Sequence, residues 1–182
     1  MRLLPVLLLA AFPAIAFPVI AFAAGSDNAE PPKPTETTTE CKKGEVWDEK
    51  TKACLKADGA TLDDDTRFDA VRELAYAGRP EEALAILATM HEGKTDRVLT
   101  YLGFANRKAG RVELGLEYYA AALAQNPDNI LARSYLGQAY VGMGETGLAR
   151  AELQEIRNRG GAGTWAETVL AEAVISGKTA SY

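Results

Sequence analysis

Two cysteines and a single histidine are all that 182 residues offer of thiols and imidazoles. A zinc centre built from four Cys or His ligands has too little material, and so has a Cys–His nucleophile pair. Long basic runs are also missing, and 25 acidic residues stand against 20 Lys and Arg. That balance argues against a nucleic-acid surface and leaves an acidic or neutral partner open. His91, in "MHEGKTD", has no second His, Cys or acid pair beside it and reads as an exposed helix-end residue. The acids of "LDDDTR" at 62–67 lack the alternating ligands and glycine of a calcium loop. They suit the cap and first-turn charge of a helix. The glycines of "GGAG" at 160–163 follow a helical stretch instead of a strand, so they make no phosphate loop. No catalytic constellation is legible, so the chain reads as a non-enzyme with no cofactor and no metal.

What is present begins with "MRLLPVLLLAAFPAIAFPVIAFAAGSD": one Arg, a long apolar stretch, then small residues before the first polar ones. This is the layout of a secretory signal over 1–24, cut after Ala23 or Ala24. The apolar run from Leu3 to Ala24 is also long enough to cross a bilayer, although Pro5, Pro13 and Pro18 each remove a backbone donor. Cleaved or retained as an anchor, the segment exports the rest of the chain. The expected location is the periplasm or the exterior, in a Gram-negative setting, with membrane contact only if the segment stays. Residues 25–40, "GSDNAEPPKPTETTTE", hold almost no apolar side chain and read as a disordered linker.

Residues 41–57 open with "CKKGEVWDEKTKAC", where short apolar pairs flank a turn-like charged run. Two strands and a turn would bring Cys41 and Cys54 together, and export favours a disulfide between them. A loop of that length is stabilised by about 3 kcal/mol in the chain-entropy model. The expectation is a local hairpin whose reduction leaves the helices almost untouched. Its Cys, Gly, aromatic-Asp and Thr pattern is similar to a fragment of small chitin-binding modules. That likeness implies an alternative function, a cell-envelope carbohydrate binder using this loop and Trp47. The other reading of Trp47 is a cover for the bridge.

The rest of the chain repeats itself. "YLGFANRKAG" at 101–110 returns as "YLGQAYVGMG" at 135–144, a period of 34 residues that marks stacked units. Gly78 aligns with Gly110 and Gly144, so units fall near 64–95, 96–129 and 130–163, within a domain spanning 62–178. Apolar residues at three- and four-residue spacing signal amphipathic helices on either side of each glycine. The glycines suit helix ends with positive φ, and Pro80 suits the first turn of the next helix. Gly103, Gly137, Ala83, Gly115 and Ala149 are small enough to let paired helices approach closely. After the third unit, Thr164-x-x-Glu167 is a capping box opening a helix over 164–177 that seals the stack, with Trp165 on its apolar face.

Leu102, Gly103, Gly110, Tyr119, Ala122 and Pro127 in the second unit resemble a tetratricopeptide repeat, and the third keeps Leu136, Gly137, Tyr140, Gly144 and Ala149. A different repeat of similar helical hairpins would give the same architecture. The fold class is therefore all-α: a three-unit helical-hairpin solenoid with a C-terminal capping helix, preceded by a signal peptide, a linker and a small disulfide hairpin. The resemblance implies an exported interaction scaffold whose first helices line a concave groove for a protein or peptide segment. Mapped onto this chain, the partner-binding residues are Arg72, Arg97, Thr100, Phe104, Arg107, Lys108, Ser134 and Gln138. Arg72, Arg97, Arg107 and Lys108 form a basic strip in an acidic chain, which suits an acidic partner, with Phe104 as the apolar anchor.

Overall fold

The computed structural model describes residues 30–180. The expected signal segment and the first residues of the linker lie outside the described residues. The first described elements are a short helix α1 (Glu36–Thr39) and a hairpin of β1 (Glu45–Asp48) and β2 (Ala53–Lys56). Seven helices follow: α2 (Asp64–Tyr76), α3 (Pro80–Leu87), α4 (Asp96–Lys108), α5 (Val112–Gln125), α6 (Ile130–Gly142), α7 (Thr146–Asn158) and α8 (Trp165–Ser176). The all-α repeat architecture expected from the sequence is what the chain adopts.

Helix starts and stops follow from local chemistry. Each of α2, α4, α6 and α8 opens on a polar side chain, Asp63, Thr95, Asn129 or Thr164, that accepts a hydrogen bond from a backbone N–H in the first turn. Such caps satisfy donors that a helix start leaves without partners. The second helices α3, α5 and α7 have no side-chain cap. They begin instead two residues after Gly78, Gly110 and Gly144, which turn the chain at φ of 74°, 85° and 80°. That left-handed geometry is open to glycine at little cost.

Within each unit the paired helices meet on small residues. A Cβ on Gly103 would lie 2.5 Å from the Tyr119 ring, and one on Gly115 would lie 2.9 Å from the carbonyl oxygen of Gly103. Ala83 and Ala149 are fully buried at related places in the first and third units. Between units, the Arg111 guanidinium at the start of α5 pairs with Glu81 in the first turn of α3 at 2.7 Å.

The region before α2 differs from expectation in two respects. First, the linker is not structureless from residue 30 onwards. Glu73 of α2 accepts hydrogen bonds from the backbone N–H groups of Thr35 at 2.8 Å and Thr38 at 3.1 Å, and from both threonine hydroxyls. Thr37 is buried beneath β1, its hydroxyl accepting from the Trp47 N–H at 3.0 Å. One buried carboxylate thus orders a segment whose composition alone cannot form a core. Second, the hairpin is not an independent module. Cys41 and Cys54 are bridged, with Cα atoms 5.5 Å apart, and Val46, Ala57 and Leu62 join the same core as Phe68, Val71 and Leu74. Trp47 sits opposite Cys54 in the antiparallel register, half-buried, with its indole N–H donating to Glu49 at 2.9 Å.

Candidate functional site

The concave side of the stack is floored by aromatic rings contributed by successive units. Phe68 of α2 meets Tyr101 of α4 edge-on at 5.2 Å between centroids, and Tyr76 of α2 stacks on Phe104 of α4 at 5.4 Å. Phe104 lies 4.6 Å from Tyr135 of α6, and the Tyr76 and Tyr135 hydroxyls are hydrogen-bonded. Tyr76 also comes within 6.2 Å of Trp165 on α8. Burial pushes the phenols of Tyr101, Tyr119 and Tyr135 above the ordinary tyrosine range, most strongly at Tyr135, while the Arg72 charge pulls Tyr101 partly back. They therefore act as neutral hydrogen-bonding groups.

Cations stand on this floor. The Arg72 guanidinium, itself buried, donates to the Tyr101 hydroxyl at 3.4 Å and to the Glu30 carbonyl oxygen at 2.7 Å. The Arg107 guanidinium lies 5.5 Å and the Lys108 ammonium 5.7 Å from the Phe104 ring centroid, within cation–π range. Arg107 Nε also donates to the Tyr119 hydroxyl at 3.5 Å, whereas its Nη2 is buried with no hydrogen-bond partner among the described residues. Burial, and then the Arg107 charge, lowers the Lys108 pKa. Arg72, Phe104, Arg107 and Lys108 are thus gathered in one place.

The remaining sequence-predicted site residues are not part of that gathering. Arg97 lies at the other end of α4, 4.7 Å above the Phe68 ring, and donates to Glu92 twice at 2.8 Å and to Asp65 at 2.8 Å. Those bonds to Glu92, then Asp65, hold its pKa above the ordinary arginine value. Thr100, Ser134 and Gln138 are corrected from groove-lining to interior positions, at 1%, 0% and 0% exposure. The Thr100 hydroxyl donates to the Asp96 carbonyl at 2.7 Å and accepts from Asn129. Ser134 donates to the Ala166 carbonyl of α8 at 2.7 Å, and Gln138 donates to Ser134 at 3.4 Å. Phe104 is corrected in the same sense. At 0% exposure it is an anchor for the chain's own rings and offers no surface to a partner. The physical reason is packing between units: Asn129 of the next unit meets Thr100, α8 meets Ser134, and the Tyr76 and Tyr135 rings cover Phe104.

Two features of the site have little or no signature in the sequence pattern used to assign it. Tyr76 follows Arg72 by four residues as Lys108 follows Phe104, so the register of the repeat could have placed it on the concave side. The backbone of Glu30 carries no such signal. Among the described residues, no group of three or more His, Cys, Asp or Glu converges as a metal site.

The tetratricopeptide repeat family model matches residues 107–163, from the last turn of α4 through α7. No curated protein and no solved structure matches the chain. Three helical hairpins in register, closed by a sealing helix, and that match from the end of α4 through α7 make this a tetratricopeptide-like repeat fold.

Proposed function

We propose that the chain is an exported, non-enzymatic scaffold that holds a partner protein's segment against the rim formed by Arg72, Arg107 and Lys108. Tetratricopeptide repeats generally mediate protein–protein interactions, and the reading of this copy rests on Arg107. Its Nη2 is buried without an acceptor among the described residues, and a buried donor left in that state costs about 1–3 kcal/mol. A carboxylate or carbonyl from an incoming segment removes that penalty, with Lys108 adding attraction for acidic groups. The contact remains modest for each exposed charge, about 0.2–1 kcal/mol, so acidic side chains act mainly on the association rate. The disulfide supports the placement in an oxidising compartment, the periplasm or the exterior, because such bonds form and persist there.

The test is crosslinking capture in cell-envelope extract, with the full chain and with an Arg107→Gln, Lys108→Gln double variant whose melting is checked first. A protein captured by the parent at low salt, less at high salt and not by the variant is the expected outcome. Equal capture by both proteins at both salt concentrations would remove the rim from the interface.

A further inference from the structure

Residues 30–34, "EPPKP", form a strap whose conformation is set by its own sequence. Pro31, Pro32 and Pro34 have φ fixed by their rings, and Glu30, Pro31 and Lys33 each precede a proline, which disfavours helical backbone. The strap is therefore an extended, stiff strand with apolar rings on its sides and carbonyls available as acceptors. It lies along the C-terminal half of α2. Its Glu30 carbonyl accepts from Arg72 at 2.7 Å, and its prolines border an apolar pocket whose other wall includes Tyr76 and Ala77.

This strand reaches the mouth of the concave side, since Arg72 contacts Tyr101 and Tyr76 contacts Phe104 and Trp165. Its hold is slight compared with that of the adjoining threonine segment. Thr35 and Thr38 are tied to Glu73 by four hydrogen bonds, whereas Pro31 and Pro34 are exposed and Pro32 is half-buried. Few buried contacts make a segment that opens at low cost. The chain thus has a firmly anchored stem at Thr35 and a loosely docked strand before it, lying on an arginine and a tyrosine of the partner-binding face.

We propose that this mouth is a recognition site for an extended proline-rich strand, filled in the resting chain by its own residues 30–34 and taken by a partner's proline-rich segment when that segment displaces them. The inference rests on the reading of the concave side as the partner face and adds the chemical class of the ligand. Recognition is through a carbonyl on Arg72 and stiff rings against Tyr76 and Ala77. A pre-extended strand loses little entropy on docking there. Because the strap is covalently attached, it competes at an effective concentration that a free segment must exceed.

The probe is a labelled synthetic peptide of residues 26–34, followed by fluorescence anisotropy against the full, disulfide-bonded chain. Replacing the strap's prolines in the same chain by Pro31→Gly, Pro32→Gly and Pro34→Gly empties the mouth and tightens peptide binding by about tenfold, the gain expected when a site some nine-tenths occupied is freed. Adding Arg72→Gln to that variant returns binding to the parent level or below. Equal affinity in parent and triple-glycine variant overturns the proposal, as does indifference to Arg72→Gln. Because Arg72 is buried, proline-ring NMR signals of the unaltered chain are a second reading. Excess unlabelled peptide must move the signals of Pro31, Pro32 and Pro34 towards free-chain values, and unchanged signals count against the strap. No partner protein enters the titration, so a negative result leaves capture through Arg107 and Lys108 standing, and a positive one survives failure of that capture.

Discussion

Arg67 has no exposed surface, and its guanidinium is the point at which the hairpin is joined to the repeats. It donates to the carbonyl oxygens of Ala57 at 2.7 Å, Leu62 at 2.8 Å and Gly59 at 2.8 Å, and pairs with Asp64 at 2.9 Å. Three backbone acceptors in an irregular connection are thus satisfied by one planar fork, a geometry that lysine cannot reproduce. Arg67→Ala is expected to lower stability by about 3–5 kcal/mol, the range for removing one partner of a buried ionic network. Arg67→Lys should recover only part of it, with urea unfolding as the measurement. Asp63 next door carries a pH dependence. Its carboxylate accepts from the Thr66 hydroxyl and N–H and pairs with Lys50 at 3.0 Å, and these contacts, largest from the hydroxyl, set its pKa well below the carboxylate range. With the folded value depressed, its stabilisation is present above the unfolded pKa of about 3.9 and fades as pH falls below that. Asp63→Asn keeps a capping oxygen without the titration, so its melting temperature should drop less between pH 6 and pH 3 than the parent's. An equal drop would show that the cap does not contribute to acid sensitivity.

At the scale of elements, the crossing of α4 on α5 leaves no room for one added methyl group at Gly103. Gly103→Ala would set its Cβ against the fully buried Tyr119 ring and 3.1 Å from the Gly115 carbonyl, neither of which can retreat. Overpacking of that kind typically costs about 1–3 kcal/mol. Gly137→Ala meets the methyl ends of Leu170, at 2.6 Å, and those can swing aside. Alanine also gains about 1 kcal/mol over glycine within a helix, so this change should come out near neutral. Paired thermal melts of the two variants check the contrast, and equal losses would mean that the ring of Tyr119 is no more rigid than a leucine. These crossings are legible in the sequence because they recur. A glycine in the first helix and a small residue in the second return with the period, as do the glycines that separate the helices. The capping side chains at Asp63 and Thr164 are legible for a similar local reason. The order in residues 30–40 is not legible, because it depends on the Glu73 carboxylate, and composition cannot reveal an acceptor so far along the chain. The docking of the hairpin is hidden in the same way by Arg67, whose partners are carbonyls with no sequence signature.

For the whole molecule, the decisive feature is that the two ends of the stack meet. A solenoid in which each repeat touches only its neighbours has a stability that is nearly a sum of repeat and interface terms. Here α2, in the first unit, and α8, after the third, are joined by Tyr76 and Trp165 at 6.2 Å, and Tyr76 is hydrogen-bonded to Tyr135 of α6. Repeat register alone makes Phe104 a groove anchor because it gives the groove positions an open face. Rings from the neighbouring units, Tyr76 and Tyr135, cover that position, and no local pattern encodes their approach. The meeting of the two ends makes a distinctive prediction for Trp165→Ala. Loss of a packed aromatic of this size costs about 3–5 kcal/mol when fully buried, and less at this half-buried site. The distribution of the loss is the informative part. In a nearest-neighbour stack it would appear in α6 and α7, which adjoin α8. With contact across the concave side, α2 should also lose protection, although whole repeat units separate it from α8 along the chain. Hydrogen exchange measured helix by helix distinguishes the two cases, with the amides of α3, which contributes no ring to the cluster, as the internal reference. Protection lost in α6 and α7 but retained in α2 would show that the ring contact carries no energy and that the repeats behave as an open stack.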